Sequence, residues 1–239
     1  MKIAIFGDSF ADCLWFSKLK IQPQNGPGWP ELLAEQYNVT NFASGGTSLY
    51  YSYQLFLKHH SQFDRVIFVS SSPERFAVHL PESNDVFHIV PGATFKQRIL
   101  ELYHYKTDLR IIQAAEDYIS YVLDTEKERI FGKLMIDDIY CTRSDVLLLP
   151  AFWIKDDPLI PLGHFSSMEQ QYYKLSQDTI SLNNLTDLRK CHLTDENNQM
   201  VYQKVMNAIN EKSSSISMSI SDFKTPTKEW NMYWKVVPL

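Results

Sequence analysis

Four short segments that are typical of buried strands, separated by segments with a helical pattern, constrain the fold of this chain more than any other feature of its sequence. They lie at residues 3–6, 38–42, 66–69 and 146–149, and all but the second are continuous apolar runs. Continuous apolar runs of this length are typical of parallel strands that are buried on both faces. We therefore predict a three-layer α/β/α sandwich, in which a mostly parallel sheet lies between two layers of helices.

Apolar residues recur at helical spacing in the segments between and after these runs. The predicted helices lie at about residues 29–37, 49–58, 111–130 and 201–209. Pro30 suits an early helical position, and Thr194 or Asp195 suits the N-cap of the last helix. The third segment keeps one amphipathic period throughout, which predicts a single long helix.

Two regions interrupt the alternation of strands and helices. Residues 76–108, with Pro81 and Pro91, are predicted to be an insertion beside the end of the third strand. Residues 1–210 then form one domain, and residues 211–239 form a C-terminal tail in which serine alternates with apolar side chains. Two interpretations of the tail stay open: it docks on its own domain, or it is an arm that docks on a second subunit and forms a homo-oligomer.

Charge and composition exclude several classes of function. The net charge is −5 and no basic stripe is present, which argues against nucleic-acid binding. The three cysteines are widely spaced, which argues against a disulfide framework or a zinc site. No apolar run approaches the roughly 20 residues that cross a membrane, and no signal peptide is evident. We expect a protein that is cytoplasmic at synthesis, which is compatible with later association with a virion or another particle.

Small polar residues follow three of the four predicted strands. Gly7-Asp8-Ser9 follows the first strand, residues 43–48 follow the second, and residues 70–75 follow the third. Ligands bind outside the carboxyl ends of the strands in open parallel sheets. Free backbone N–H groups in such loops can hold an anion or a developing oxyanion. These three loops therefore predict a site at one edge of the sheet.

A serine nucleophile needs a base, because a free hydroxyl reacts poorly at neutral pH. His192, in "RKCHLTDENNQ", lies in a loop before the last predicted helix, from which it can reach the edge of the sheet. Phe152 and Trp153 follow the fourth strand. They either line a groove for sugar rings or acyl chains, or pack at the rim of the core.

Three segments, in order, resemble the conserved blocks of the SGNH (GDSL-type) hydrolases: "GDS", "GWPELLAEQYNVTNFASGGTS" and "CHLTDENNQMVYQKVMNAI". The resemblance implies a flavodoxin-like sheet and a hydrolase that needs no metal or cofactor. It makes Ser9 the nucleophile and His192 the base, with Asp8 shaping the turn. The backbone N–H of Gly45, or of Gly46 if the register differs by one residue, would join that of Ser9 in the oxyanion hole.

Two positions depart from the pattern of that family. The asparagine that supplies a third oxyanion donor after the third strand is absent, and Ser72 or Arg75 is the candidate substitute. The aspartate expected three residues before His192 is Arg189 here. Asp187, five residues before the histidine, is then the candidate for the acid that orients the imidazole.

These observations leave two functions from different classes. The first is an esterase or deacetylase that acts on a small acyl ester or an acylated carbohydrate, with no nucleic acid or membrane as partner. The alternative is a catalytically weak or inactive relative used for binding or assembly in a bacterial or phage surface-polysaccharide or tail system. A dinucleotide-binding protein fits less well, because the first turn lacks the G-x-G-x-x-G pattern.

Overall fold

The computed structural model describes residues 1–13, 23, 25–80, 85–89, 109–152, 161–165, 185–187, 189–224 and 234–236. The strands in this part of the chain are β1 (Lys2–Phe6), β2 (Asn38–Asn41), β3 (Arg65–Ser70), β4 (Phe76–Leu80), β5 (Asp85–Ile89), β6 (Leu147–Pro150), β7 (Leu185–Asp187) and β8 (Trp234–Val236). The α-helices are α1 (Trp29–Ala34), α2 (Leu49–His59), α3 (Leu109–Asp117), α4 (Thr125–Thr142) and α5 (Asp195–Asn210).

The four predicted strands form one parallel sheet in the order β2-β1-β3-β6. The strand order reverses at β1, since β2 lies on one side of it and β3 on the other. Ligands of open α/β sheets bind at the carboxyl ends of the strands beside such a reversal. The chain that leaves β1 therefore enters the region of the fold best suited to a site.

Alternate residues of β1 point into two separate cores. Ile3 and Ile5 pack with Trp29 and Leu33 of α1 and with the buried face of α5. Ala4 and Phe6 pack on the opposite face with residues of α2 and α4. The sheet is thus covered by helices on both faces, which explains the continuous apolar strands β1, β3 and β6. The prediction that residues 38–42 form a buried strand is wrong in its burial, because β2 lies at the edge of the sheet and its residues are exposed or partly exposed. The predicted three-layer α/β/α sandwich with a parallel sheet is confirmed.

The single long helix predicted over residues 111–130 is wrong, because the structure divides this segment. Helix α3 passes into a wide π-type turn at Tyr118–Val122, and Leu123 is extended. The Asp124 carboxylate then accepts the backbone N–H groups of Glu126 and Lys127 and starts α4. An N-cap that satisfies two free amides favours a new helix start over continuation. No described helix has the length and apolar character needed to cross a bilayer.

The predicted insertion begins with an antiparallel hairpin. Strands β4 and β5 pair from Phe76 with Ile89 to Leu80 with Asp85. Residues 81–84 and 90–108 lie outside the described part of the chain, so the C-terminal limit of the insertion stays a prediction.

The described part of the C-terminal tail lies against its own domain. Ser215 forms a parallel bridge with Leu148 of β6, and Ile216 and Met218 are buried in the core beside α5. The buried Arg65 guanidinium donates to the carbonyl oxygen of Ser213. Further on, β8 pairs with β7. The arm that docks on a second subunit stays a prediction.

Gly132 lets α4 approach the loop that follows β3. A Cβ built on this glycine would lie 2.6 Å from Pro73 Cβ. Alanine favours a helix by about 1 kcal/mol over glycine, whereas overpacking costs about 1–3 kcal/mol. We expect Gly132→Ala to lower the free energy of unfolding by up to about 2 kcal/mol in urea titrations.

Lys133→Ala, at the adjacent exposed position of the same helix, is the matched control for this substitution. It adds alanine without a new contact, so its free energy of unfolding should stay close to that of the wild type. A Gly132→Ala variant more stable than the wild type would show that the loop at Pro73 yields freely.

Candidate active site

The turn after β1 presents Ser9 at the carboxyl edge of the sheet. Gly7, with φ of +155°, begins the turn, and a Cβ there would lie 2.7 Å from Val69 Cβ on β3. The Asp8 carbonyl oxygen accepts the N–H groups of Ala11 and Asp12, at 3.0 and 2.9 Å. Ser9 is partly exposed within this turn. Its hydroxyl makes no hydrogen bond to the part of the chain that the structure describes.

Asp8 points inward and joins the turn to the loop after β3. Its carboxylate is fully buried and lies 2.9 Å from Nη1 of Arg75, whose side chain is 8% exposed. It also accepts the N–H of Phe10. The same Nη1 donates to the carbonyl oxygen of Thr47 and to Ser71 Oγ, both at 3.1 Å. Asp8 and Arg75 therefore hold the loops after β1, β2 and β3 together.

The structure gives the predicted oxyanion substitutes different surroundings. The guanidinium of Arg75 is already bound to Asp8, and its buried Nε has no partner among the described residues. Its Cζ lies 4.7 Å from the centroid of the Phe152 ring. Ser71 is fully buried and donates to Thr47, whereas Ser72 is partly exposed. Ser72 thus keeps a hydroxyl that can face a ligand.

The glycine loop after β2 is held by Asp12, a residue that the sequence reasoning missed. The Asp12 carboxylate is 3% exposed and accepts the N–H of Gly45 at 2.7 Å. Gly46 has φ of +80°, and no atom lies within 4 Å of a Cβ built there. Among the described residues, nothing accepts the Gly46 N–H. The N–H of Gly46 therefore lies on the side of this loop that is open to a ligand.

Asn41, the last residue of β2, fixes the same loop from its other end. Its side chain donates to the Ala11 carbonyl oxygen at 2.7 Å and accepts the N–H of Ala43 at 2.9 Å. The turn that carries Ser9 and the glycine loop are thus bonded to each other through both Asn41 and Asp12. This pairing keeps the two loops in one fixed arrangement at the edge of the sheet.

His192 lies beside the turn that carries Ser9. Its ring packs on Phe10, the residue after Ser9, with ring centroids 5.0 Å apart. Cys191 and His192 both have left-handed backbone angles, with φ of +56° and +59°. Two successive non-glycine residues in this region store strain that the surrounding structure must balance, a feature that clusters at functional sites. No hydrogen bond joins Ser9 to His192 within the described residues.

Asn198, in the first turn of α5, makes several of the hydrogen bonds that stabilise this strained loop. Its side-chain amide is fully buried and donates to the carbonyl oxygens of Lys190, Leu193 and Thr194 at 2.9–3.1 Å. Its oxygen accepts the N–H of Trp29 at 3.1 Å. The loop that carries His192 is therefore fastened at both sides to one side chain. The sequence "DENNQ" does not by itself indicate this role of Asn198. The backbone carbonyl groups that need a hydrogen-bond donor become evident only in the folded structure.

The candidate acid, Asp187, is placed only by its backbone. It is the last residue of β7 and pairs with Trp234 of β8. The position three residues before the histidine is occupied by Arg189, which is 1% exposed. Trp153, the second aromatic candidate for a groove, lies outside the described residues. Phe152 packs edge-to-face on Phe10, with ring centroids 5.6 Å apart.

Among the described residues, no group of three or more histidine, cysteine, aspartate or glutamate side chains could hold a metal ion. The polar groups of the loops around Ser9 are instead backbone amides, hydroxyls, the buried ion pair of Asp8 with Arg75 and the Asp12 carboxylate. Such a set can polarise a carbonyl group and hold a developing oxyanion.

Comparison with known proteins gives only distant likenesses. No protein-family model matches the chain, and no curated protein matches it. One similar solved structure is the acetyl xylan esterase AlAXEase, at 16% identity and a TM-score of 0.39, over 87% of this chain and 100% of that chain. Another is a protein assigned to the G-D-S-L lipolytic family from Desulfitobacterium hafniense DCB-2, at 16% identity and a TM-score of 0.32, over 84% and 95%. Likenesses this distant assign no activity.

Proposed function

We propose that this protein is a serine hydrolase that cleaves a small acyl ester without a cofactor. The observation that supports it is the position of the His192 ring on Phe10, beside the partly exposed Ser9 at the carboxyl edge of the sheet. A nucleophile and a base from distant parts of the chain then share one site. The three blocks that resemble SGNH hydrolases agree with the same two residues.

In the proposed reaction His192 removes the proton of Ser9 Oγ as the oxygen attacks the ester carbonyl carbon. The tetrahedral intermediate collapses, and the alcohol leaves with the proton that His192 returns to it. A water molecule, deprotonated by His192, then attacks the acyl-enzyme and releases the carboxylic acid and Ser9. The described residues show no hydrogen bond between Ser9 and His192. This is compatible with the proposed role, because catalytic hydrogen bonds often tighten only when substrate binds.

Gly46 is the better candidate for the second oxyanion donor. The N–H of Gly45 is donated to Asp12, whereas that of Gly46 has no acceptor among the described residues. We therefore assign the oxyanion hole to the N–H groups of Ser9 and Gly46, with the Ser72 hydroxyl as third donor. In this assignment Asp12 is a positioning residue that fixes the glycine loop.

Two roles follow from the remaining candidates. Asp187 is proposed to orient the imidazole of His192, and Arg75 is proposed to support the turn through Asp8 instead of contacting the oxyanion. An acylated carbohydrate is the proposed form of the ester. Phe152 is already packed against Phe10 and Arg75, so it would contribute only an edge to a sugar-binding groove.

A second function is favoured by one specific observation. Arg189 is buried at the position where an acid is expected, which would weaken the base. This supports a protein that binds an acylated ligand or assembles with partners, with little or no turnover. The two functions differ in the reactivity of Ser9.

A fluorophosphonate probe tests the proposal directly, because it reacts only with an activated serine. We expect the purified protein to be labelled at Ser9, as identified by peptide mass spectrometry, and Ser9→Ala to remain unlabelled. A known serine esterase treated in parallel confirms that the probe is reactive. An unlabelled wild-type protein beside a labelled control would reject the hydrolase and favour the binding protein.

A further inference from the structure

Two cysteines that lie 178 residues apart in sequence are in contact beside the candidate site. The Sγ atoms of Cys13 and Cys191 lie 3.6 Å apart, and both side chains are buried. Cys13 ends the described turn that carries Ser9, and Cys191 immediately precedes His192. The two sulfurs therefore bridge the two segments that supply the nucleophile and the base.

The two sulfurs occupy space that a side chain at position 28 would need, and Gly28 leaves this space open. A Cβ built on this buried glycine would lie 2.8 Å from Cys13 Sγ and 2.9 Å from Cys191 Sγ. With glycine there, both sulfurs fit against the backbone just before α1. No side chain at this position separates them, so the contact between the sulfurs is part of the packing of the site.

We propose that Cys13 and Cys191 are a thiol pair that a hydroperoxide converts to an intramolecular disulfide. The effect of this bond on catalysis rests on the proposed function, whereas its formation does not. A small neutral oxidant such as hydrogen peroxide suits a pair buried from larger reagents. Cys141 is exposed and distant in sequence from both, so it provides an internal comparison.

The oxidation takes place in two steps. The Cys13 thiolate attacks one oxygen of the peroxide, the O–O bond breaks, and the product is a sulfenic acid with release of hydroxide. The Cys191 sulfur then attacks the Cys13 sulfur, the S–O bond breaks, and water leaves. In total, two thiols and one hydrogen peroxide give one disulfide and two waters.

The first step is assigned to Cys13 because of the surroundings of its partner. Burial, and then the hydrogen bond with Cys13, raise the pKa of the Cys191 thiol well above its ordinary value. A protonated thiol is a poor nucleophile, so Cys191 is the weaker candidate for the attack on peroxide. With its sulfur 3.6 Å from that of Cys13, Cys191 is already positioned to resolve the sulfenic acid.

The disulfide would displace the loop that carries His192. An S–S bond is about 2.05 Å long, so the sulfurs must approach each other by about 1.5 Å from their present 3.6 Å. Cys191 is covalently bonded to His192, and a displacement of about 1 Å in a catalytic group can lower the rate about 10²-fold. We therefore expect the oxidised protein to lose ester hydrolysis by about this factor and to recover it in dithiothreitol.

Peptide mass spectrometry tests formation of the bond without any assay of activity. The folded protein is treated with hydrogen peroxide, remaining thiols are alkylated in denaturant, and the peptides are compared before and after reduction. We expect a linked pair of peptides containing Cys13 and Cys191, while Cys141 is alkylated or carries a sulfur oxide. Free Cys13 and Cys191 beside an oxidised Cys141 would overturn the proposal.

The effect on the site is tested with Cys13→Ser, and with Cys13→Ala if serine prevents folding. The expected result is that peroxide inactivates the wild-type protein reversibly and leaves the variant at its starting rate. Equal inactivation of both proteins would overturn the link between the disulfide and the base. A linked peptide in a protein that the fluorophosphonate does not label would uphold the thiol pair and reject only the hydrolase.

Discussion

Replacing Ser9 by alanine lowers the rate of p-nitrophenyl acetate hydrolysis by at least about 10³-fold, to the rate of the buffer. The expected loss is large because, in the proposed reaction, alanine removes the atom that forms the acyl-enzyme bond. The partly exposed Ser9 hydroxyl makes no hydrogen bond within the described structure, so the substitution leaves no buried group without a partner. Thermal unfolding of the variant should therefore coincide with that of the wild-type protein.

Ser61→Ala, at an exposed serine far along the chain, is the control for nonspecific effects and should retain full activity. His192→Gln tests whether the two residues act as one unit. Removing either member of such a unit is expected to cost nearly as much as removing both, so the double variant should be no slower than Ser9→Ala. If Ser9→Ala retains the wild-type rate, the observed hydrolysis does not use this serine.

Replacing Arg75 by methionine lowers the free energy of unfolding by about 3–5 kcal/mol, as measured in urea. This is the expected cost of leaving one member of a buried ion pair without its partner. Asp8 is fully buried, and the lost guanidinium also donates to Thr47 and Ser71. Methionine keeps the apolar stem of the side chain, so the loss reports mainly on the charged group and its hydrogen bonds.

The adjacent residue in sequence provides a matched control. Glu74 pairs with Arg129 at 2.8 Å, a distance close to that of the buried pair, but the two side chains are 25% and 45% exposed. Exposed pairs contribute about 0–1 kcal/mol, so Arg129→Met should have little effect. Asp8→Asn combined with Arg75→Met should recover part of the stability, because it removes the unpaired charge. Equal losses for Arg75→Met and Arg129→Met would show that burial of Asp8 does not matter.

Most of the sheet could be predicted from sequence because β1, β3 and β6 are buried on both faces, whereas β2 is partly exposed. A strand such as β3 then has only apolar side chains over most of its length, and its hydrophobic run marks it directly. The order of the loops along the chain follows from the parallel topology, so the edge that carries Ser9 was also predictable. The bounds of the strands differ from the prediction by a single residue at most ends.

Contacts between distant loops could not be predicted in the same way. Asp12 and Asn198 act through hydrogen bonds to backbone groups whose positions depend on the whole fold. A buried aspartate and a surface aspartate look the same in sequence. The break between α3 and α4 was missed for a related reason: the apolar period continues through it, and only the cap formed by Asp124 stops the helix.

The C-terminal tail has a consequence for solubility. Strand β6 lies at the end of the described sheet, and its outer side would present unpaired N–H and C=O groups to other chains. Such an edge is a template for intermolecular β-pairing and aggregation. The bridge from Ser215 to Leu148, with Ile216 and Met218 buried next to it, covers part of that edge. The residues after α5 therefore hinder pairing of this edge with other chains. A chain cut at residue 210 would expose the edge and would self-associate more readily.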